Sequence, residues 1–352
     1  MNRRSERTAR PLPSPRRRPS LRFAAAILGV AVLLALALRL APLAGIWESL
    51  RRLSLWQVSG LLLVNAFVLI CMTLRWWLVL RPENPRIPFL PLLGYRLSVF
   101  SLSYFTVGPQ VGGEPLQVLY LRRDYGLTLA RATAAVIMDK LLELLGNFVF
   151  IGFGLFAVMR LGLLHAGPSV SGLGWLFLAA LLSWPLVHIF LLSRRIYPVY
   201  AFLHLFFHRF RRQKWFRLVV ASERLVSAFI RRHPSALFAS LGASLLAWTG
   251  MAVEYVMMLN FLDLHLGLWQ ALAALTASLL AFLVPLPGGL GALEASQVLA
   301  LGSLGYAPAP ALALALLMRA RDLFNGGLGL LLAARSFTRV PAFRTSHPAR
   351  ET

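Results

Sequence analysis

The sequence predicts an all-α integral membrane protein, with six transmembrane spans plus two broken re-entrant helical hairpins arranged as an inverted repeat. Three observations carry this. First, 58% of the residues are hydrophobic and 14% charged, and several apolar runs are near 20 residues long. That is the length needed to cross roughly 30 Å of hydrocarbon. Second, two apolar stretches are interrupted in the same way, by Gly108-Pro109-Gln110-Val111-Gly112-Gly113-Glu114-Pro115 and by Pro285-Leu286-Pro287-Gly288-Gly289-Leu290-Gly291. A backbone so broken is tolerated at membrane depth only where it is buried in protein or lines a wet cavity. Matching breaks in two halves of a chain point to a binding site at an inverted-repeat interface. Third, the arginines gather in the tails and in selected connections between apolar runs, the pattern that orients membrane proteins.

In chain order, residues 1–22 hold eight arginines and read as a disordered basic tail. Residues 23–335 form one polytopic membrane domain. Its first span, 23–38, is followed by a poor cleavage site and is retained rather than removed as a signal peptide. The second span, 58–80, ends in Arg75-Trp76-Trp77, where arginine and tryptophan read as interface anchors and Arg75 can snorkel. The first hairpin follows as apolar 89–106, the break, and a helix reopening at Glu114, where Pro115 suits a first turn. Spans 129–159 and 173–192 come next. Residues 194–235 are rich in arginine and aromatics and predict one or two amphipathic helices on the cytoplasmic membrane surface. Span 236–262, the second hairpin over 269–304 and a last span, 308–333, complete the domain, leaving a cytoplasmic tail at 336–352.

Charge sets the topology. With both termini inside, the arginine-rich 194–235 connection also lies inside only if 89–121 enters and leaves from the cytoplasmic face and 269–306 from the opposite one. The net charge of +23 does not imply nucleic acid, because the arginines lie between spans. Cys71 is the only cysteine, which excludes an intrachain disulfide, and its place in an apolar run suits packing. His204 and His208 share a helix face but have no carboxylate beside them, so no metal site is expected. No cofactor is expected either.

Six of the 13 acidic residues lie in or beside apolar segments: Glu114, Asp139, Glu143, Glu254, Glu294 and Asp322. A charge in the bilayer costs a few kcal/mol even on lenient insertion scales, so intramembrane charges default to function. Asp139 and Glu143 share a helix face, and Arg319 can pair with Asp322 three residues on. Helices reopening after Gly112-Gly113 and after Pro287-Gly288-Gly289 present free N–H groups, which with Arg96, Arg319 and Arg321 suit an anionic phosphate. Glu114 and Glu294 either cap those N–H groups or balance a cationic head group. These residues are the candidate site, with Glu114 and Glu294 expected on opposite sides of one cavity. Asp139, Glu143, Arg319 and Asp322 are expected to matter for transport more than for folding.

The segments GPQVGGEPLQVLYLRRDYG, MDKLLELLG and PLPGGLGALEA, in that order, resemble the membrane domain of lysylphosphatidylglycerol synthases and its stand-alone relatives, over roughly residues 20–335. The resemblance implies a flippase-like, lipid-handling protein of the bacterial inner membrane, with a membrane phospholipid or lipid-linked molecule as substrate and an enzyme of lipid modification as possible partner. The motif positions that carry over are Gly112, Gly113, Glu114, Asp139, Glu143, Pro287, Gly288, Gly289, Gly291 and Glu294. The chain stops about twenty residues after its last span, so lysyl transfer does not carry over and no catalytic residue is expected. Two alternatives stand beside lipid translocation: an accessory subunit of a membrane glycosyl- or aminoacyl-transferase, and a small-molecule or ion transporter on the same architecture. Neither a GxxxxGK[ST] loop nor a DxD motif is present. The head group, the direction and energy source of transport, the partner enzyme, the oligomeric state and the choice between a re-entrant first hairpin and a full span plus a half-helix stay open.

Overall fold

Local signals account for where the helices begin and end. In the computed structural model, residues 47–48, 51, 53–106, 112–163, 172–284 and 286–338 are described. The expected tail 1–22, the span 23–38, residues 108–111 of the first break, Pro285 of the second and the tail beyond 338 lie outside them. Helix α1 (Leu55–Leu80) opens on a capping box, with Ser54 Oγ accepting the Gln57 N–H at 3.3 Å and the Gln57 side chain accepting the Ser54 N–H at 2.9 Å. Helix α2 (Phe89–Phe105) is the first arm of the first hairpin, and α3 (Glu114–Tyr125) its second. Gly126 ends α3 in the left-handed conformation that glycine adopts freely. Thr128 caps α4 (Leu129–Arg160). Helix α5 (Gly172–Ser193) runs into α6 (Pro198–Phe207), which turns through 93°. Then come α7 (Lys214–Arg232), α8 (Pro234–Phe261), α9 (Leu268–Leu283), α10 (Ala292–Ser303) and α11 (Pro308–Thr338). No strand occurs among the described residues. By length and apolarity α1, α4 and α8 qualify as membrane spans, and the bent α5–α6 pair qualifies jointly.

The packing exchanges the two halves of the chain. Helix α1 lies along α8, α2 along α11, and α9 along α4. Each first hairpin arm thus packs on a long helix of the other half, while α3 and α10 pack on α4 and α11 of their own. Lipid tails are as apolar as leucine, so small residues that allow close approach hold such contacts. A Cβ on Gly154 would overlap Thr276 of α9, one on Gly329 the Leu97 carbonyl of α2, and one on Gly250 would stand 2.8 Å from Val68 of α1.

The two largest apolar cores lie one at each end of the α1–α8 pair. One joins Trp76 and Leu80 of α1 with Met138 and Leu142 of α4, Phe229 of α7 and Leu237 of α8. The other joins Tyr255 and Met258 of α8 with Leu275, Leu301 and Leu314. Helix α7 corrects one expectation. Its apolar face, Val226, Phe229 and Ile230, packs on the bundle and not on lipid, and Ser227 Oγ donates to the Leu192 carbonyl at 2.6 Å. It is α6 that leaves Phe202, Leu205 and Phe206 exposed.

Candidate functional site

Between the two cores lies a cavity of about 210 Å³, walled by the middle of α1 (Asn65 to Met72), by α2, α3, α4, α8 and α9, and by the middle of α11 (Met318 to Asn325). A charge cluster from each half reaches it. In the first, Asp139 of α4 accepts Arg75 Nε of α1 at 2.7 Å and Arg96 Nη1 of α2 at 2.8 Å. Glu143, one turn further, accepts Arg75 at 3.1 Å, Arg96 at 3.5 Å and Lys140 Nζ at 2.8 Å. Lys140 also lies 3.4 Å from Glu114, at the start of α3. Three cations meet three carboxylates, so this cluster is neutral. Pairing is required here, because a lone Arg, Lys or Asp at the centre of a spanning helix costs about 2.5–3.5 kcal/mol on the insertion scale.

The second cluster divides into a lock and a lining. Arg319 of α11, 2% exposed, holds Glu294 of α10 in a two-pronged pair at 2.7 Å for both Nε and Nη2. It also donates to the carbonyls of Gly288 at 3.1 Å and Gly289 at 3.4 Å. The break frees those carbonyls from helical bonding, and in hydrocarbon the protein must satisfy them. Arg321 turns the other way, donating to Glu254 of α8 at 2.9 Å and to Asp322 at 2.8 Å. Two cations meet three carboxylates here, leaving one carboxylate in excess, and Glu254 Oε1 is buried without a hydrogen-bond partner among the described residues.

Both breaks are capped the same way. Glu114 accepts the Gly112 N–H at 2.8 Å, and Glu294 accepts the Gly291 N–H at 3.0 Å. Each of these glutamates is then held by a cation of the next long helix in its own half, Lys140 or Arg319. Gly112, Gly288, Gly289 and Gly291 all have positive φ, between 59° and 124°, so a side chain there would be strained.

The family model for the lysylphosphatidylglycerol synthase TM region matches residues 23–329. The chain belongs to that family. No curated protein and no solved structure matches it.

In this member of the lysylphosphatidylglycerol synthase TM family, seven of the expected site residues line the cavity: Arg96, Glu114, Asp139, Glu143, Glu254, Arg321 and Asp322. Gly112, Gly113, Gly288, Gly289, Glu294 and Arg319 do not, and the expected Pro287 has its side chain outside those described. The hairpins do meet, since a Cβ on Gly288 would stand 3.2 Å from the Tyr104 ring of α2. Glu294, however, is drawn away from the cavity by Arg319, so it does not face Glu114 across it. The expected Arg319–Asp322 pair is absent too. Asp322 bonds its neighbour Arg321, and Arg319 finds a better-shaped carboxylate in Glu294. Arg75 does not snorkel; it is fully buried, and its Nε and Nη2 bond the α4 acids. The signal for this lies in α4, because two carboxylates on one face of an apolar helix require cations from elsewhere. The carboxamides Asn65, Gln117, Asn147 and Asn325 also line the cavity and had no place in the expected site. Asn147 continues the Asp139–Glu143 face by one more turn, a spacing visible in the sequence.

Proposed function

We propose that this chain receives the head group of a membrane lipid or lipid-linked molecule in the central cavity and carries it across the bacterial inner membrane as a flippase. One observation carries the proposal. The cavity wall, though largely apolar, collects charged side chains from both halves of the chain, while the outside of the same helices exposes Leu63, Phe67, Phe153, Phe156, Leu245 and Leu331. A lipid crossing a bilayer requires both a polar chamber for its head and an apolar exterior where its tails stay. The family is named for a synthase of a modified phospholipid, which supports a lipid-modification context and a partner enzyme there. In this reading the chain is a carrier and not a catalyst.

The architecture proposed with it has six spans, namely 23–38, α1, α4, α5, α8 and α11, and two broken hairpins, α2–α3 and α9–α10, entering from opposite faces. The exchanged packing of the hairpin arms, the two glutamate-capped breaks and the cation that holds each glutamate all support an inverted repeat. Alternating access then follows from one half rocking on the other about the fixed cavity. Both termini and the 194–235 connection lie in the cytoplasm in this arrangement.

The test is reconstitution of the purified chain into vesicles carrying a fluorescent lipid, with an impermeant quencher outside. Loss of inner-leaflet fluorescence faster than in protein-free vesicles is expected. A rate equal to that of protein-free vesicles for every lipid tried would end the flippase reading.

A further inference from the structure

We propose that Asn65, Gln117, Asn147 and Asn325 are the groups that receive the guest, and that the part they receive is uncharged and hydroxyl-bearing, such as a sugar or glycerol unit. This deepens the transport reading above and rests on its choice of cavity.

Four helices, α1, α3, α4 and α11, each deliver one of these carboxamides to the cavity wall. They are 7%, 5%, 7% and 5% exposed, in that order. None forms a side-chain hydrogen bond with another described residue. A fifth buried carboxamide shows the contrast. Gln297 is 0% exposed and fully engaged, donating to the Ala274 carbonyl at 3.2 Å and Ser278 Oγ at 2.7 Å and accepting from the Tyr255 hydroxyl at 2.6 Å. A carboxamide that holds this fold together is therefore bonded at both ends, and the four at the cavity are not. Their amide atoms are not among the fully buried atoms left without a partner, so they open on the cavity, and what enters that space, water or guest, is the partner they meet. The halves of the chain repeat the arrangement, since Asn147 follows Gly113 by the same interval at which Asn325 follows Gly291.

The chemistry of the wall selects the guest. A carboxamide offers two donors and an acceptor, which matches a hydroxyl that both donates and accepts. Each cation on the wall is already committed: Arg96 to Asp139 at 2.8 Å, Lys140 to Glu143 at 2.8 Å and Arg321 to Glu254 at 2.9 Å. A phosphate would have to pull one of them away, and it would face five carboxylates against three cations. An ammonium group would satisfy Glu254 Oε1 but leave every carboxamide N–H group idle. Hydroxyls satisfy both, because they donate to Glu254 Oε1 and accept from the carboxamides. The volume agrees, since a cavity of about 210 Å³ has room for one such unit.

The experiment is equilibrium binding to the full chain in a sugar-free detergent, with three lipids of identical acyl chains. They are a monoglucosyl diacylglycerol, a phosphatidic acid and a diacyl trimethylammonium-propane. The glucosyl lipid is expected to bind at least ten-fold tighter than the other two, a difference of about 1.4 kcal/mol. Asn147→Leu and Asn325→Leu should each weaken it about ten-fold and leave the two charged lipids unchanged. Without lipid, these variants should melt at or above the wild-type temperature, because an amide that bonds nothing in the chain is removed. Tighter binding of either charged lipid, or leucine variants that keep wild-type affinity for the glucosyl lipid, would overturn the proposal. Should a leucine variant fail to fold, Asn147→Ala and Gln117→Met carry the same expectation and the same refutation. Binding is read without transport, so the two readings fail separately. A lipid that binds as expected but does not cross vesicles removes the flippase reading alone, whereas wild-type crossing rates in the leucine variants overturn this one.

Discussion

Asp139 is the residue on which the first charge cluster closes. It is 2% exposed and accepts from two arginines brought by two other helices. Asp139→Asn therefore leaves two buried arginines with Glu143 as their one remaining carboxylate, and by the usual cost of breaking a buried pair it should destabilise by about 3–5 kcal/mol. For Asp139 this predicts a folding role, where the sequence led us to expect a transport role. Glu143, whose side chain is 17% exposed at the cavity, behaves differently, because water reaches what its neutral isostere leaves unpaired. Glu143→Gln should melt near wild type. Arg319→Gln belongs with Asp139→Asn, since it leaves Glu294 and two glycine carbonyls without their donor. Thermal unfolding of the purified variants in detergent checks all three, and a Glu143→Gln variant as unstable as Asp139→Asn would contradict this division of roles.

Two contacts between elements test how the helices are held. The α2–α11 contact depends on Gly329, where any side chain meets the Leu97 carbonyl, whereas a Cβ on Gly327 meets nothing within 4 Å. Gly329→Val should cost at least about 1–3 kcal/mol through overpacking. Gly327→Ala should be neutral or slightly stabilising, because alanine favours helix. Equal melting temperatures for the two variants would mean that close approach does not hold α2 to α11. The second contact fixes α6. Buried Glu223 of α7 accepts the N–H groups of Val199 and Tyr200, both at 2.8 Å, and so caps the start of α6 from a distant helix. Glu223→Ala should cost about 0.5–2 kcal/mol, as other lost caps do. Limited proteolysis should show faster cleavage between residues 194 and 213 in that variant. An unchanged digestion rate would mean that packing alone holds α6.

At the scale of the whole molecule, two apolar cores at opposite ends of α1 and α8 leave between them a space that charged side chains enter, and the topology decides which core faces the cytoplasm. Cys71 is the chain's only cysteine and is buried, so introduced cysteines report cleanly. A cysteine at Arg212 should react with an impermeant maleimide only in inside-out vesicles, and one at His265 only in right-side-out ones. Labelling of the Arg212 position from outside would refute both the cytoplasmic 194–235 connection and the opposed entry of the two hairpins.

Much of the fold was legible because its causes are local. Apolar length, capping residues and the glycine-proline breaks act within a few residues of one another. The sequence alone therefore placed the breaks next to Thr106 and Glu114 and next to Val284 and Ala292, where the structure has them. It also determined the family, through motifs that are themselves local. The pairing of charges was not legible in this way. Arg75 and Asp139 are 64 residues apart, and no periodicity relates them. Only the packing of α1, α2 and α4 at one point makes Arg75 a buried partner instead of a surface anchor. The same holds for Arg319, which chose Glu294 over the nearer Asp322 because the reopened helix α10 presents a carboxylate that matches its fork. The unpartnered carboxamides are the extreme case. Having no partner depends on every neighbour at once, and the assembled cavity alone defines those neighbours.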